Sequence, residues 1–197
     1  MLSMHDLSGE FEKQVCQIAS LGVWQIVTGR PMKKRLEPVD DHRWNEKGGV
    51  FVTLRKAGEV RGSMGMLESA TSLPETLFDA GATAATHDAR KEPIDENEIS
   101  YLEIEVTLLS KISKMDSIDD LVVGETGIIV SRGDNRAVLL PSVAEENGWN
   151  QEQFLEACCE KAQLSHKAWK DPNTLVEYFH SQTIQGGSLS RKIEGYI

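Results

Sequence analysis

Val60 to Leu67 reads as the return strand of a β-hairpin, and it carries two interior glycines, Gly62 and Gly65. Glycine weakens a strand, because it has no side chain to pack and costs the most backbone entropy. Two in one strand constrain the fold: either the backbone bends or bulges there, or something approaches it closely. The outgoing strand is Gly49 to Arg55, where Val50, Phe51, Val52 and Thr53 favour extended backbone. Lys56-Ala57-Gly58-Glu59 forms the turn. Ser72-Leu73-Pro74-Glu75 then has the spacing of a capping box and opens a helix. Its buried stripe is Leu73, Leu77, Ala80, Gly81 and Ala84, small enough to pack closely on a sheet. The body approaching the strand glycines is therefore a ligand or this alanine-rich helix.

The rest of the chain alternates between the two periodicities. Phe11, Val15, Ile18, Ala19, Gly22 and Ile26 predict a helix over residues 9–28, with Ser8 as N-cap and Gly29 and Pro31 as the stop. Tyr101 to Leu109 is a strand with Leu102, Ile104, Val106 and Leu108 on one face and Glu103, Glu105 and Thr107 on the other. Gly127 to Ser131 and Ala137 to Leu140 form a second hairpin. A short helix over 143–146 stops at Asn147-Gly148, Asn150 and Gln153 cap another helix, and Leu175 to Ile184 is the last strand. Two hairpins among helices predict an α+β fold, a mostly antiparallel sheet packed with helices. Residues 1–185 read as a single domain and 186–197 as a loosely structured tail.

Net charge is −10, from 21 Lys+Arg against 31 Asp+Glu, which opposes binding to a phosphate backbone. The exception to test is the basic run Arg30-Pro31-Met32-Lys33-Lys34-Arg35. No apolar run reaches the ~18 residues of a membrane span. The first residues lack the basic-then-apolar order of a signal peptide. Three cysteines, two of them adjacent at Cys158 and Cys159, fit a reducing compartment and a cytoplasmic location. The chain has no dinucleotide or P-loop glycine pattern, and its five histidines show no ligand spacing, so no cofactor and no metal are expected. Arg132-Gly133-Asp134 reads as a hairpin turn.

Arg61-Gly62-Ser63-Met64-Gly65 is the segment that carries functional information. The packing reading makes it a bulge with Ser63 chosen for size. The site reading gives it a hydroxyl at Ser63, glycine amides for an anion and a charge at Arg61. It is not a nucleophile elbow. Arg61 stands where the first glycine belongs, and no helix begins at the serine.

Val60-Arg61-Gly62-Ser63-Met64-Gly65 resembles the Leu-Arg-Gly-Cys-Ile-Gly signature of the AMMECR-one domain family. The resemblance extends to Phe51-Val52-Thr53-Leu54, to Ala84-Ala85-Thr86-His87-Asp88-Ala89-Arg90, and to Ile104 through Ser110. It continues through Gly127-Ile128-Ile129-Val130, Leu139 through Ala144, Gly148-Trp149, Phe154-Leu155, Cys159 through Leu164 and Trp169, so it covers about residues 49–170. It implies a main sheet-and-helix lobe with a smaller lobe. Relatives are often encoded beside, or fused to, a Memo-type protein and a radical-SAM protein, which implies one component of a modification system. Two departures stand out: Ala89 replaces a proline, and Ser63 occupies the signature cysteine. A hydroxyl lacks the nucleophilicity of a thiol without an adjacent base, so Ser63 favours packing.

Glu105, His87 and Ser63 are the candidate catalytic residues; Arg61, Gly62, Met64, Gly65, Asp88 and Arg90 are the candidate binding residues. Glu105 sits on the polar strand face and in a family motif. His87, Asp88 and Arg90 follow the small-residue helix, as a C-terminal cap and a loop ion pair or as part of a site. The first functional expectation is a ligand- or partner-binding component acting with Memo-type and radical-SAM proteins. The alternative is an enzyme with Glu105 or His87 as general base.

Overall fold

The computed structural model describes residues 9–34, 36–38, 40–45 and 48–197; Ser8, the expected N-cap, and Arg35 of the basic run lie outside them. The fold is α+β, and the chain divides into two compact units. The first is Met1–Leu109 with Gln182–Ile197, and the second is Ser110–Ser181.

In the first unit, α1 (Gly9–Thr28) is followed by the hairpin β1 (Val50–Lys56) and β2 (Glu59–Met66), then α2 (Leu73–Thr86) and β3 (Leu102–Leu109). β1 pairs antiparallel with β2 on one side and with β3 on the other. The second half of β7 (Leu175–Ser188) lies beside β3. Val50, Val52 and Leu54 of β1 and Leu102, Ile104, Val106 and Leu108 of β3 are buried on one face, as their alternation requires. That face joins Phe11, Val15, Ile18 and Ala19 of α1 and Leu73, Leu77, Ala80 and Ala84 of α2 in one core.

Glycine sets how close the layers come. A Cβ on Gly22 would strike the Phe78 carbonyl, and one on Gly81 would strike the Ala19 carbonyl, so α1 and α2 cross backbone to backbone. A Cβ on Gly62 would strike the Ala84 carbonyl, so α2 lies equally close to β2. The strand glycines thus have two physical causes. Gly62 admits the small-residue helix. Gly65 faces Phe51 across the hairpin, and a Cβ there would strike the Val50 carbonyl and lie 2.7 Å from the Phe51 ring. The register shifts between Leu54, opposite Gly62, and Arg55, opposite Val60, which leaves Arg61 as the bulged residue of β2. Glu75 accepts the Ser72 amide at 3.2 Å and the Ser72 hydroxyl at 3.0 Å, which anchors the start of α2.

The second unit contains β4 (Ser113–Lys114), the hairpin β5 (Thr126–Arg132) and β6 (Asn135–Leu139), α3 (Pro141–Asn147), α4 (Gln151–Lys161) and the first half of β7. β5 pairs antiparallel with both β6 and β7. Arg132-Gly133-Asp134 forms the hairpin tip with Gly133 at φ +59°, and Gly148 ends α3 at φ +63°. Asn150 and Gln153 cap α4 reciprocally, at 2.9 and 3.0 Å. Ile128, Val130, Phe154, Leu155, Cys158 and Cys159 form a separate core. Burial pushes the Cys158 thiol up to about 12 and the Cys16 thiol to about 11, which keeps both neutral.

One sequence expectation is corrected. Residues 186–197 are not a loose tail. β7 continues to Ser188, and α5 (Leu189–Ile193) follows with Leu189 and Ile193 fully buried in the first unit's core. The Gly186-Gly187 pair suggested a loop, but Gly186 is a close-approach residue: a Cβ there would lie 2.6 Å from Ile104 and 3.0 Å from the Cys16 sulfur.

Overpacking at a backbone crossing costs ~1–3 kcal/mol, so Gly22→Ala and Gly81→Ala are each expected to lower stability by that amount in urea denaturation. Gly9→Ala meets no atom within 4 Å and serves as the neutral control. Wild-type midpoints for both crossing variants would refute the role given to these glycines.

Candidate functional site

The hairpin register places Ser63 opposite Thr53, and Thr53 opposite Glu105. All three side chains therefore fall on the sheet face away from the core. The Ser63 and Thr53 hydroxyls are 2.9 Å apart. Glu105 accepts from Gln185 Nε2 at 2.8 Å and pairs with Arg55 at 3.4 Å. In the next row Gly65 faces Phe51, Phe51 faces Thr107, and the Thr107 hydroxyl bonds that of Thr183 at 2.9 Å. This outer face carries hydroxyls, one aromatic ring and the Glu105–Arg55 pair, and its residues are half-buried to exposed.

β2 ends the sheet path, so amides on its free side need an acceptor from elsewhere. Asp88, in the loop after α2, supplies one: the Ser63 amide donates to it at 2.9 Å. Arg90 binds the same carboxylate through Nε and Nη2, both at 2.8 Å, and through its own amide at 3.1 Å. Asp88 is 5% exposed. Its carboxyl is held well below the ordinary range, first by the Arg90 side chain and then by the amides of Arg90 and Ser63, against a burial effect that opposes them. Asp88 and Arg90 form the loop ion pair expected from sequence. His87 is the C-cap of α2, is exposed, and shares a 2.7 Å bond with the Thr86 hydroxyl.

Arg61 is equally engaged. It binds Glu98 through Nε at 3.0 Å and Nη2 at 2.8 Å, and donates to the carbonyls of Glu92 and Pro93 at 2.8 and 3.2 Å. Lys56 reaches the same Glu98 at 2.8 Å. These two cations, Arg61 foremost, lower the Glu98 pKa to about 2. Met64, opposite Val52, packs against the core. The signature's charged residue therefore fastens the hairpin to the segment before β3.

The structure thus brings together Ser63, Glu105, Asp88 and Arg90 around the hairpin, with Arg61 turned to the 92–98 segment. Among the described residues no hydrogen bond links His87 to Ser63 or Glu105, and no three His, Cys, Asp or Glu side chains are placed to hold a metal ion. Sequence reading missed Glu98, Thr53 and Gln185. The Asp95-x-x-Glu98 spacing does announce a cap, and Glu98 accepts the Asp95 amide at 3.2 Å. Nothing local announces its pairing with Arg61, 37 residues away. Of the basic run, Arg30 is paired with Glu96 at 2.7 Å, Met32 packs on the core, and Lys33 and Lys34 are exposed. No helix among the described residues is long and apolar enough to cross a membrane.

The chain matches the AMMECR1 family over residues 16–184. A protein of Methanothermobacter thermautotrophicus is 35% identical over 184 residues, covering 89% of this chain and 94% of its own length. Protein MK0488 of Methanopyrus kandleri is 36% identical over 162 residues, 78% of each chain. The crystal structure of the uncharacterized protein PH0010 from Pyrococcus horikoshii superposes with a TM-score of 0.75 at 29% identity, covering 90% of this chain and 92% of that one.

Asp88 has a folded-state pKa below its unfolded value of about 3.9, so its contribution is present above that value and lost as pH falls through the folded one. Asp88→Ala removes the acceptor of the Ser63 amide and should cost ~1–3 kcal/mol at neutral pH. The Arg90 pair adds little to this, since Arg90 is 70% exposed. The stability gap between wild type and variant should narrow below about pH 4. An unchanged gap at about pH 2 would show that the carboxylate charge is not what holds the loop.

Proposed function

The chain belongs to the AMMECR1 family, and we propose that it serves as a ligand- or partner-binding component of a modification system, with Memo-type and radical-SAM proteins as its partners. The observation that carries this reading is the engagement of the charged residues the signature brings together, Arg61, Asp88 and Glu105. Arg61 is held by Glu98 and two carbonyls, Asp88 by Arg90 and the Ser63 amide, and Glu105 by Gln185 and Arg55. A general base needs a lone pair directed at a substrate proton. Here both Asp88 oxygens accept from the protein, Glu105 Oε2 accepts from Arg55 and Gln185, and Ser63 has a threonine hydroxyl rather than a base beside it. Rigid, satisfied polar groups on a sheet face suit recognition, because little side-chain entropy is lost when a partner docks.

The docking face under this proposal is the outer sheet surface bearing Thr53, Ser63, Glu105, Thr107, Thr183 and Gln185. Thr183 and Gln185 are exposed, so Thr183→Lys with Gln185→Lys alters the face without disturbing the core. Calorimetric titration against the Memo-type and radical-SAM proteins of the same genome is expected to give binding by wild type and a loss of about tenfold or more, ~1.4 kcal/mol, in the double variant. Absence of binding to both proteins would sink the proposal. Equal binding by the variant would move the contact elsewhere on the molecule.

A further inference from the structure

An apolar groove lies away from the signature. α1, α2 and residues 32 and 36–38 enclose an open groove of about 650 Å³, lined by Ile18, Leu21, Met32, Leu36, Pro74 and Phe78. Among the described residues its charged lining is Glu37, Glu75 and Asp79, all three acidic and exposed. Glu75 and Asp79 stand one helical turn apart on α2, where like charges repel. Among the described residues none of the three enters an ion pair. Glu75 does accept the Ser72 cap bonds, which leaves its charge un-neutralised. Lys33 and Lys34 are exposed on the same loop but do not line the groove.

An apolar floor with an unbalanced acidic rim selects an occupant that is apolar on one side and cationic at its edge. A cavity of about 150 Å³ holds a benzene-sized group, so this groove takes roughly four aliphatic side chains. An amphipathic helix presents about that number over two turns. We infer that the α1–α2 groove docks a basic amphipathic helix of a partner protein, its leucine-type side chains in the groove and its Lys or Arg residues against Glu37, Glu75 and Asp79. This surface is separate from the outer sheet face, so either can fail without the other.

The test uses the full chain and a labelled peptide of alternating Leu and Lys at helical spacing, with a Leu/Glu peptide of the same pattern as control. Fluorescence anisotropy should show the Leu/Lys peptide binding at least tenfold more tightly. Glu37→Gln/Glu75→Gln/Asp79→Asn should weaken it about tenfold, and Gln at position 75 retains the capping-box acceptor, so folding is preserved. Glu152→Gln/Glu156→Gln/Glu160→Gln on α4 should leave it unchanged. Methyl signals of Ile18, Leu21 and Met32 should shift on titration. Equal loss in the two triple variants, equal binding of the two peptides, or shifts confined to other methyls would overturn the assignment. So would saturation by decyltrimethylammonium without peptide binding, which would make the groove a small-amphiphile site.

Discussion

Three backbone contacts made possible by glycine decide the rest of the first unit. α2 is held between α1 and β2 with no side chain at either crossing: Gly22 and Gly81 on one side, Gly62 on the other. Helices ordinarily pack with axes about 8–10 Å apart, at a distance their side chains set; here the carbonyls of Phe78, Ala19 and Ala84 set the spacing. The depth of α2 fixes where its C-terminus emerges. That end carries His87 and Asp88, and it brings the Asp88 carboxylate to the free amide of Ser63. The family signature is thus one mechanical statement: a glycine admits the helix, and the loop after the helix seals the strand edge.

Electrostatics reinforce this arrangement in two separate knots. Asp88 with Arg90 ties the loop after α2 to β2. Glu98 with Arg61 and Lys56 ties the hairpin to the segment preceding β3. Each knot is partly shielded from solvent on its carboxylate side, with Asp88 and Glu98 side chains only 4% and 17% exposed. Such pairs gain more from their backbone hydrogen bonds than from Coulomb attraction across an open surface. The remaining polar face, with Thr53, Ser63, Glu105 and Gln185, is left pre-ordered.

The elements with strong local patterns were legible in the sequence. The alternation in β3, the capping boxes of α2 and α4, and the 9–28 helix all lie where periodicity and cap chemistry place them. Of the candidate causes of the strand glycines, the small-residue helix accounts for Gly62, while the bulge falls on the neighbouring Arg61 and Gly65 answers to Phe51 across the hairpin. What was illegible depends on distance along the chain. Arg61 finds Glu98, and Glu105 finds Gln185, 80 residues on. The C-terminal segment was misread because Gly186-Gly187 looks like a loop until Ile104 and Cys16 are seen to need the missing side chain. A polar-looking tail hid two buried anchors, Leu189 and Ile193.

β7 belongs to both units, and this has a consequence for synthesis on the ribosome. The second unit begins at Ser110 and ends at Ser181, and its two ends are bonded to each other: the Ser110 amide donates to the His180 carbonyl and the His180 amide to the Ser110 hydroxyl, both at 2.9 Å. All of its residues have therefore been translated before Gln182 appears. The first unit is begun earlier and finished later, since β3 waits for residues 182–188 and the core waits for Leu189 and Ile193. Until then β3 is an open sheet edge on a nascent chain. The inner cassette can fold first, and the outer unit closes only once residues 182–193 have followed it out of the tunnel.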